Sequence, residues 1–209
     1  MLPGIFQSTI FSPMGSMGRV NPMNKSRLSQ FIRPMHPKSE IRPTAEAIQK
    51  VLNAGWVGQL KIHGHRAQIH IPADPDQEIL AFNRQGQLHQ KEVPDTIIQE
   101  LRRIFAPATG WTVIDSEWLK PKDRVYVFDL LKLQDETLQR LPFEARWKLL
   151  PRAYISPHIQ TLGVITTLDG CLDVLRETES WIEGLVFKSP SPGFEDSSII
   201  RCRIGARRK

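Results

Sequence analysis

The spacing of apolar and polar positions changes period several times along the chain, and each change marks an element. From Gln59, Leu60 and Ile62 alternate with polar neighbours; beyond Gly64, Ala67, Ile69 and Ile71 alternate with Gln68 and His70. This pattern predicts a strand, a tight turn and a returning strand. Residues 79–82 predict a third strand, closed by the turn Asn83-Arg84-Gln85-Gly86. Alternation returns over 111–119 and 125–131, and two last strands are predicted over 185–188 and 199–204. Helical spacing marks four other segments. Ala45, Ile48, Val51 and Leu52 share a face behind a Thr44 N-cap. Pro94-Asp95 starts a helix carrying Ile97, Ile98, Leu101, Ile104 and Phe105 on one side. Residues 142–150 and 169–177 give two more. Short consecutive strands with few long helices exclude a regular strand–helix alternation, and with it a doubly wound parallel sheet. The predicted class is α+β with largely antiparallel sheets.

Before about residue 30 the periodicity fades and Pro and Gly accumulate. Residues 1–39 contain no Asp or Glu. The division expected is a basic, flexible arm over 1–30 and one folded domain over 31–209. Organelle transit peptides share the acid-free bias, and targeting stands as the alternative. Pro3, Gly4, Pro13, Gly15 and Gly18 would break an amphipathic helix there. Hydrophobic residues at 40% and charged ones at 24% describe an ordinary globular chain, and no run reaches the roughly 20 apolar residues of a membrane-spanning helix. Two widely separated cysteines, Cys171 and Cys202, argue against a zinc site or disulfide framework and for a reducing, cytoplasmic setting. The net charge of +6 fits a phosphate-bearing partner, though many basic proteins bind no nucleic acid.

Five short constellations could carry chemistry. In Lys61-Ile-His-Gly64-His-Arg66, a lysine stands at a strand end before a glycine turn and an arginine. Such a lysine, when neutral, is a nucleophile, and the arginine could fork onto phosphate oxygens; a surface hairpin with two solvated cations is the other reading. Asp115 and Glu117 share one face of a strand, where paired carboxylates suit a ribose hydroxyl or a divalent cation, or simply face solvent. Phe128 could stack on a base or belong to a core. Glu183-Gly-Leu-Val-Phe-Lys188 places an acid and a lysine at the two ends of an apolar strand. Arg201 and Arg203 lie on one face of the last strand, where both could clamp one phosphate or form a basic tail with Arg207, Arg208 and Lys209. The histidines His63, His65 and His70 do not make a metal set, because Gly64 breaks the extended run that would align the first two.

Taken in order, these segments resemble the motifs of the covalent nucleotidyltransferase superfamily of DNA ligases, RNA ligases and mRNA capping enzymes, with the best resemblance to the adenylation domain of ATP-dependent DNA ligases. Lys61 to Arg66 is similar to K-x-D-G-x-R, with His63 in place of Asp, as in some RNA ligases. Phe82-Asn-Arg84-Gln-Gly86 resembles the element that follows, Val127-Phe128-Asp129 the aromatic strand, and the segment around Arg146 the next helix. Glu183 to Lys188 matches E-G-L-V-x-K, and Pro34-Met35 resembles the entry of the domain. In the last motif Arg201 and Arg203 replace the usual lysines.

The resemblance implies two sheets with a nucleotide cleft between them, as in ligase adenylation domains and ATP-grasp-like folds; such ligases usually continue into an OB domain, and with six residues after Arg203 none is expected here. It implies ATP and Mg²⁺ or Mn²⁺ as cofactors, and a monomer acting on nicked DNA, with RNA as the alternative. A protein partner could take the part of the OB domain. DNA repair, recombination and replication are the settings of such enzymes. Lys61 would carry AMP. Arg66 and Arg84 would bind the nucleotide, Glu117 the ribose, and Phe128 the adenine. Glu117 and Glu183 would hold the metal, and Lys188, Arg201 and Arg203 would face the α-phosphate. A self-adenylating RNA ligase, a guanylyltransferase and a non-catalytic nucleic-acid-binding relative are the rival readings.

Overall fold

The computed structural model describes residues 30–151 and 156–204. The arm expected over 1–30, apart from Gln30, and the terminal Arg207-Arg208-Lys209 lie outside the described residues. In chain order the elements are β1 (Ser39–Glu40), α1 (Ala45–Asn53), β2 (Val57–Ile62), β3 (His65–Pro72), β4 (Leu80–Phe82), α2 (Asp95–Phe105), β5 (Trp111–Leu119) and β6 (Arg124–Leu133). They continue with β7 (Glu136–Thr137), α3 (Phe143–Lys148), β8 (Ile159–Thr161), α4 (Leu168–Arg176), β9 (Ile182–Lys188) and β10 (Ile199–Arg203). The smaller sheet runs β1-β10-β9-β2; the larger runs β4-β3-β5-β6-β7, with β8 also on β6. All pairings are antiparallel except β1 with β10 and β6 with β8. The α+β class and the two sheets agree with the expectation. The two- and three-residue strands β1, β7 and β8 do not stand out in the pattern because they are too short to show a period.

One expectation needs correction. β2 and β3 are consecutive strands but not a hairpin: β2 pairs with β9 in the smaller sheet, and β3 pairs with β4 and β5 in the larger. The chain crosses between sheets at His63-Gly64, where the His63 amide donates to the Trp181 carbonyl (2.8 Å) and His65 then pairs opposite Trp118. Period 2 identifies a strand but not its partner. Gly64 serves here by close approach, not by a left-handed φ. A Cβ on it would lie 2.9 Å from the Trp118 carbonyl oxygen and 3.0 Å from Glu117 Cγ.

Each sheet has its own helices. Ile97, Leu101 and Phe105 of α2 bury against Ile69, Ile71 and Ile114 on the larger sheet. Ile48 of α1 and Val174 of α4 pack on Leu185 and Phe187 of the smaller, beside the buried free thiols of Cys171 and Cys202. Thr44 caps α1 as expected, its hydroxyl accepting from the Ala47 amide. A third cluster, Ile62, Leu119, Tyr126 and Leu162, brings β2 of one sheet against β5 and β6 of the other. Buried apolar area of this kind contributes roughly 1.5–3 kcal/mol per large side chain, and it holds the two sheets at a fixed separation. A strap over residues 31–37 also spans them. Ile32 exchanges hydrogen bonds of 2.8 and 2.7 Å with the Gln68 side chain, and the His36 amide donates to Asp196 (2.8 Å).

Candidate active site

Between the sheets opens a cavity of ≈ 950 Å³. Its walls include Lys61, Arg66, Arg84, Glu117, Phe128, Glu183, Lys188 and Arg201. Eight of the nine residues to which the resemblance gives a role therefore converge on one cleft; Arg203 is not among the lining residues.

Lys61 and Glu183 meet because of a bulge. Lys61 pairs with Gly184 and Ile62 with Ile182, so Glu183 is the extra residue of β9. An extra residue re-aims its side chain, and here the Glu183 carboxylate forms an ion pair with the Lys61 ammonium. The other carboxylate oxygen lies 2.5 Å from His63 Nδ1. Burial pushes the Glu183 carboxyl up, but the hydrogen bonds from Lys61 and His63 outweigh it and hold the group below its usual range. Gly184 makes the bulge feasible: its φ is +136°, and a Cβ there would stand 2.2 Å from the Cys202 carbonyl oxygen. That contact is with backbone and cannot relax cheaply. Gly184→Ala is expected to lower stability by at least about 2 kcal/mol, read as a fall in thermal midpoint; an unchanged midpoint would contradict this account of the bulge.

Glu117 lies on β5 across the cleft. Burial raises its pKa to about 7, with Arg66 and Lys61 pulling the other way. A carboxyl whose folded pKa lies above its unfolded value of 4.5 binds its proton more tightly in the folded state. Its contribution to stability is complete below pH 4.5 and is lost as pH rises through about 7. Between pH 5 and pH 8 the wild-type chain is therefore expected to lose on the order of 1–3 kcal/mol more stability than Glu117→Gln. Urea unfolding at the two pH values checks this.

The expected pairing of Asp115 with Glu117 as two open carboxylates does not hold. Arg66 takes Asp115: its Nε donates to Oδ1 at 2.9 Å, a terminal nitrogen forms an ion pair with Oδ2, and the other terminal nitrogen donates to the Met35 carbonyl at 2.8 Å. A bidentate guanidinium–carboxylate pair is strong and directional. Arg66 thus anchors β3 to β5 and to the strap, and offers the cleft mainly its face, 5.3 Å from the Phe128 ring.

Phe128 is only half-buried, on the cleft face of β6, with the Lys188 ammonium 5.1 Å from its ring centre. Lys188 is itself buried; desolvation lowers its pKa to about 8, against the pull of Asp129. Next to Phe128, Asp129 turns inward onto Arg146 of α3, with bonds of 2.9 and 2.8 Å between two fully buried side chains. Arg146 was visible in the sequence, but its partner was not, because the contact joins residues 17 apart on two different elements.

Arg201 and Arg203 do share a face and do clamp one anion, but the anion is Glu40 of β1. Arg201 Nε donates at 2.8 Å, and Arg203 Nε and a terminal nitrogen donate at 2.8 and 2.9 Å. No sequence signal marks Glu40, since the strand that carries it is two residues long. Sequence reading also missed Gln59, two residues before Lys61 on β2. It lines the cleft, it is buried, and its Oε1 has no hydrogen-bond partner while its Nε2 donates to the Leu162 carbonyl (3.4 Å).

Among the described residues no group of three or more His, Cys, Asp or Glu is placed to hold a metal. Glu117 and Glu183 face the same cleft. Two carboxylates there suit a magnesium ion that keeps several waters and is bound largely through a nucleotide's phosphates, rather than a metal caged by protein alone.

The family described as RNA ligase matches residues 54–202. Among solved structures, one described as "Pmar-Lig_PreS3" is 18% identical, with a TM-score of 0.51 over 79% of this chain and 46% of that one. A second, "Pmar-Lig_Pre.", is 18% identical with a TM-score of 0.51 over 80% and 46%. "Mycobacterial DNA ligase D complexed with ATP and MES" is 17% identical, with a TM-score of 0.48 over 71% and 54%. The chain thus spans about half the length of these structures. No curated protein matches it.

Proposed function

The chain belongs to the RNA ligase family, and we propose that it joins polynucleotide strands through AMP carried covalently on Lys61. The observation that carries this reading is the convergence of Lys61, Glu183, Glu117 and Lys188 on one cleft, two carboxylates and two amines from both sheets. In the first step Lys61 Nζ attacks the α-phosphate of ATP; an N–P bond forms and pyrophosphate leaves. The ammonium must first give up a proton to water, and its ion pair with the Glu183 carboxylate opens as it does so. In the second step a strand's 5′-phosphate oxygen displaces the lysine and takes the AMP. In the third, a 3′-hydroxyl attacks that 5′-phosphate and AMP departs. Such transfers depend on positioning and charge cancellation. Lys188 and Arg201 supply positive charge at the cleft, and Phe128 supplies a ring face for the base. Glu117 and Glu183 would hold Mg²⁺, which would neutralise phosphate charge.

Gln59 supports ATP as the donor. A buried acceptor without a partner gains most from a ligand that donates to it. The exocyclic amine of adenine donates, whereas the corresponding oxygen of guanine accepts. Gln59→Leu is expected to raise the KM for ATP about tenfold, with the labelling step otherwise retained; steady-state labelling against ATP concentration checks it.

RNA ends come first as substrate, because the family matched is RNA ligase and because His63 stands where the DNA-ligase motif has Asp. Nicked DNA is the second reading, favoured by the order of the motifs. Sealing of matched nicked RNA and nicked DNA duplexes decides between them: the faster substrate is the assigned one. Covalent labelling from GTP and not from ATP would replace this reading with a capping-type enzyme.

A further inference from the structure

Outside the residues that line the cleft, and bonded to the turn at His63, a cluster of a lysine and aromatic rings has no part in the chemistry above. Trp181 stands two residues before Glu183; its backbone carbonyl accepts the His63 amide (2.8 Å) beside the nucleophile's turn, and its indole N–H donates to the Glu179 carboxylate (2.8 Å). The ring is half-buried. It stacks on the buried Tyr126, with ring centres 5.2 Å apart and planes 22° apart, and the ammonium of Lys122 lies 5.5 Å from its centre. Lys122 is exposed, in the turn Lys120–Lys122 that joins β5 to β6. Lys120, at the start of that turn, lines the cleft, its ammonium 5.2 Å from the centre of the Trp118 ring. The chain thus places an exposed lysine over an indole braced from behind, in the turn whose first residue, Lys120, lines the cleft.

We propose that Trp181 and Lys122 form a docking step for the polynucleotide strand, with a base near the strand end stacking on the indole and Lys122 moving onto the adjoining phosphate. The inference rests on the ligase reading. An exposed cation–π contact is weaker than a base–indole stack, so an arriving base displaces the ammonium, which remains close enough to meet the backbone. Tyr126 holds the indole flat, so little side-chain freedom is lost on binding. Stacking accepts any base, as strand joining without sequence preference requires.

The test measures binding of a short, labelled, 5′-phosphorylated single-stranded RNA to the full chain by fluorescence anisotropy over a range of salt, alongside covalent labelling from ATP. Trp181→Ala is expected to weaken binding about fivefold or more, and Trp181→Phe to restore most of it. Lys122→Gln is expected to flatten the log–log salt dependence by about 1. All three variants should label with AMP at the wild-type rate. Binding and salt dependence unchanged in Trp181→Ala and Lys122→Gln would overturn the proposal, as would no RNA binding by the wild-type chain. Loss of labelling in the wild-type chain would instead count against the ligase reading. Lys122 is exposed, so its variant reports even where Trp181→Ala fails to fold.

Discussion

Arg146→Ala is expected to destabilise the fold by about 3–5 kcal/mol, a large share of the stability of an ordinary domain. The change removes one partner of a pair whose side chains are both fully buried and leaves the Asp129 carboxylate without its two guanidinium bonds. It also removes the bond from Arg146 to the Leu141 carbonyl (2.6 Å). An uncompensated buried charge is the costly outcome; replacing both partners by apolar groups of similar volume is much milder. Asp129→Leu combined with Arg146→Met should therefore recover most of the loss. Urea midpoints for the single and double variants measure the coupling, and additive effects would contradict the account. The pair also bears on the cleft, because Asp129 follows Phe128 on β6 and helps keep Lys188 charged. The double variant should fold yet label with AMP more slowly.

Lys61→Ala is expected to remove covalent labelling from ATP altogether, because no other group would carry the nucleotide. The sharper control is Lys61→Arg. It keeps a positive charge against Glu183, so the ion pair and the low pKa of that carboxyl have a basis to persist. A guanidinium is not a nucleophile at ordinary pH. Lys61→Arg should therefore stay folded, with a thermal midpoint close to wild type, and give no labelled protein. A labelled Lys61→Arg protein would place the nucleotide on another residue and overturn the assignment.

Most of this site could be read from the sequence because its residues lie in short motifs whose order is specific. Lys61, Glu117 and Phe128 each fall on a strand with a clear period of two, Glu183 and Lys188 close the two ends of an apolar strand, and strands of a two-sheet α+β fold turn alternate residues toward a shared cleft. What escaped has a common physical cause. Glu40, Asp129 and Asp115 are the internal partners of Arg201 and Arg203, Arg146 and Arg66, and ion pairing across 17 to 163 residues leaves no local trace. Composition shows an arginine, not the carboxylate that occupies it. The crossing at His63-Gly64 escaped for a related reason, since alternation reports exposure and not strand partnership. Gly184 was part of a recognised motif, yet its need for glycine, a bulge pressed against the Cys202 carbonyl, appears only once β9 lies between β2 and β10. Gln59 looked like an ordinary polar residue in a strand; its unpartnered oxygen exists only when the cleft closes around it.

The central claim is that AMP on Lys61 is an intermediate passed to a strand end. The direct measurement is a chase. The chain is labelled with α-labelled ATP and Mg²⁺, free nucleotide is removed, and nicked RNA or DNA with a 5′-phosphate is added. The account predicts that label leaves the protein, appears on the 5′-phosphate strand, and is released as AMP as the strands join. Label that never forms on the protein, or that stays there in the presence of both substrates, would contradict it.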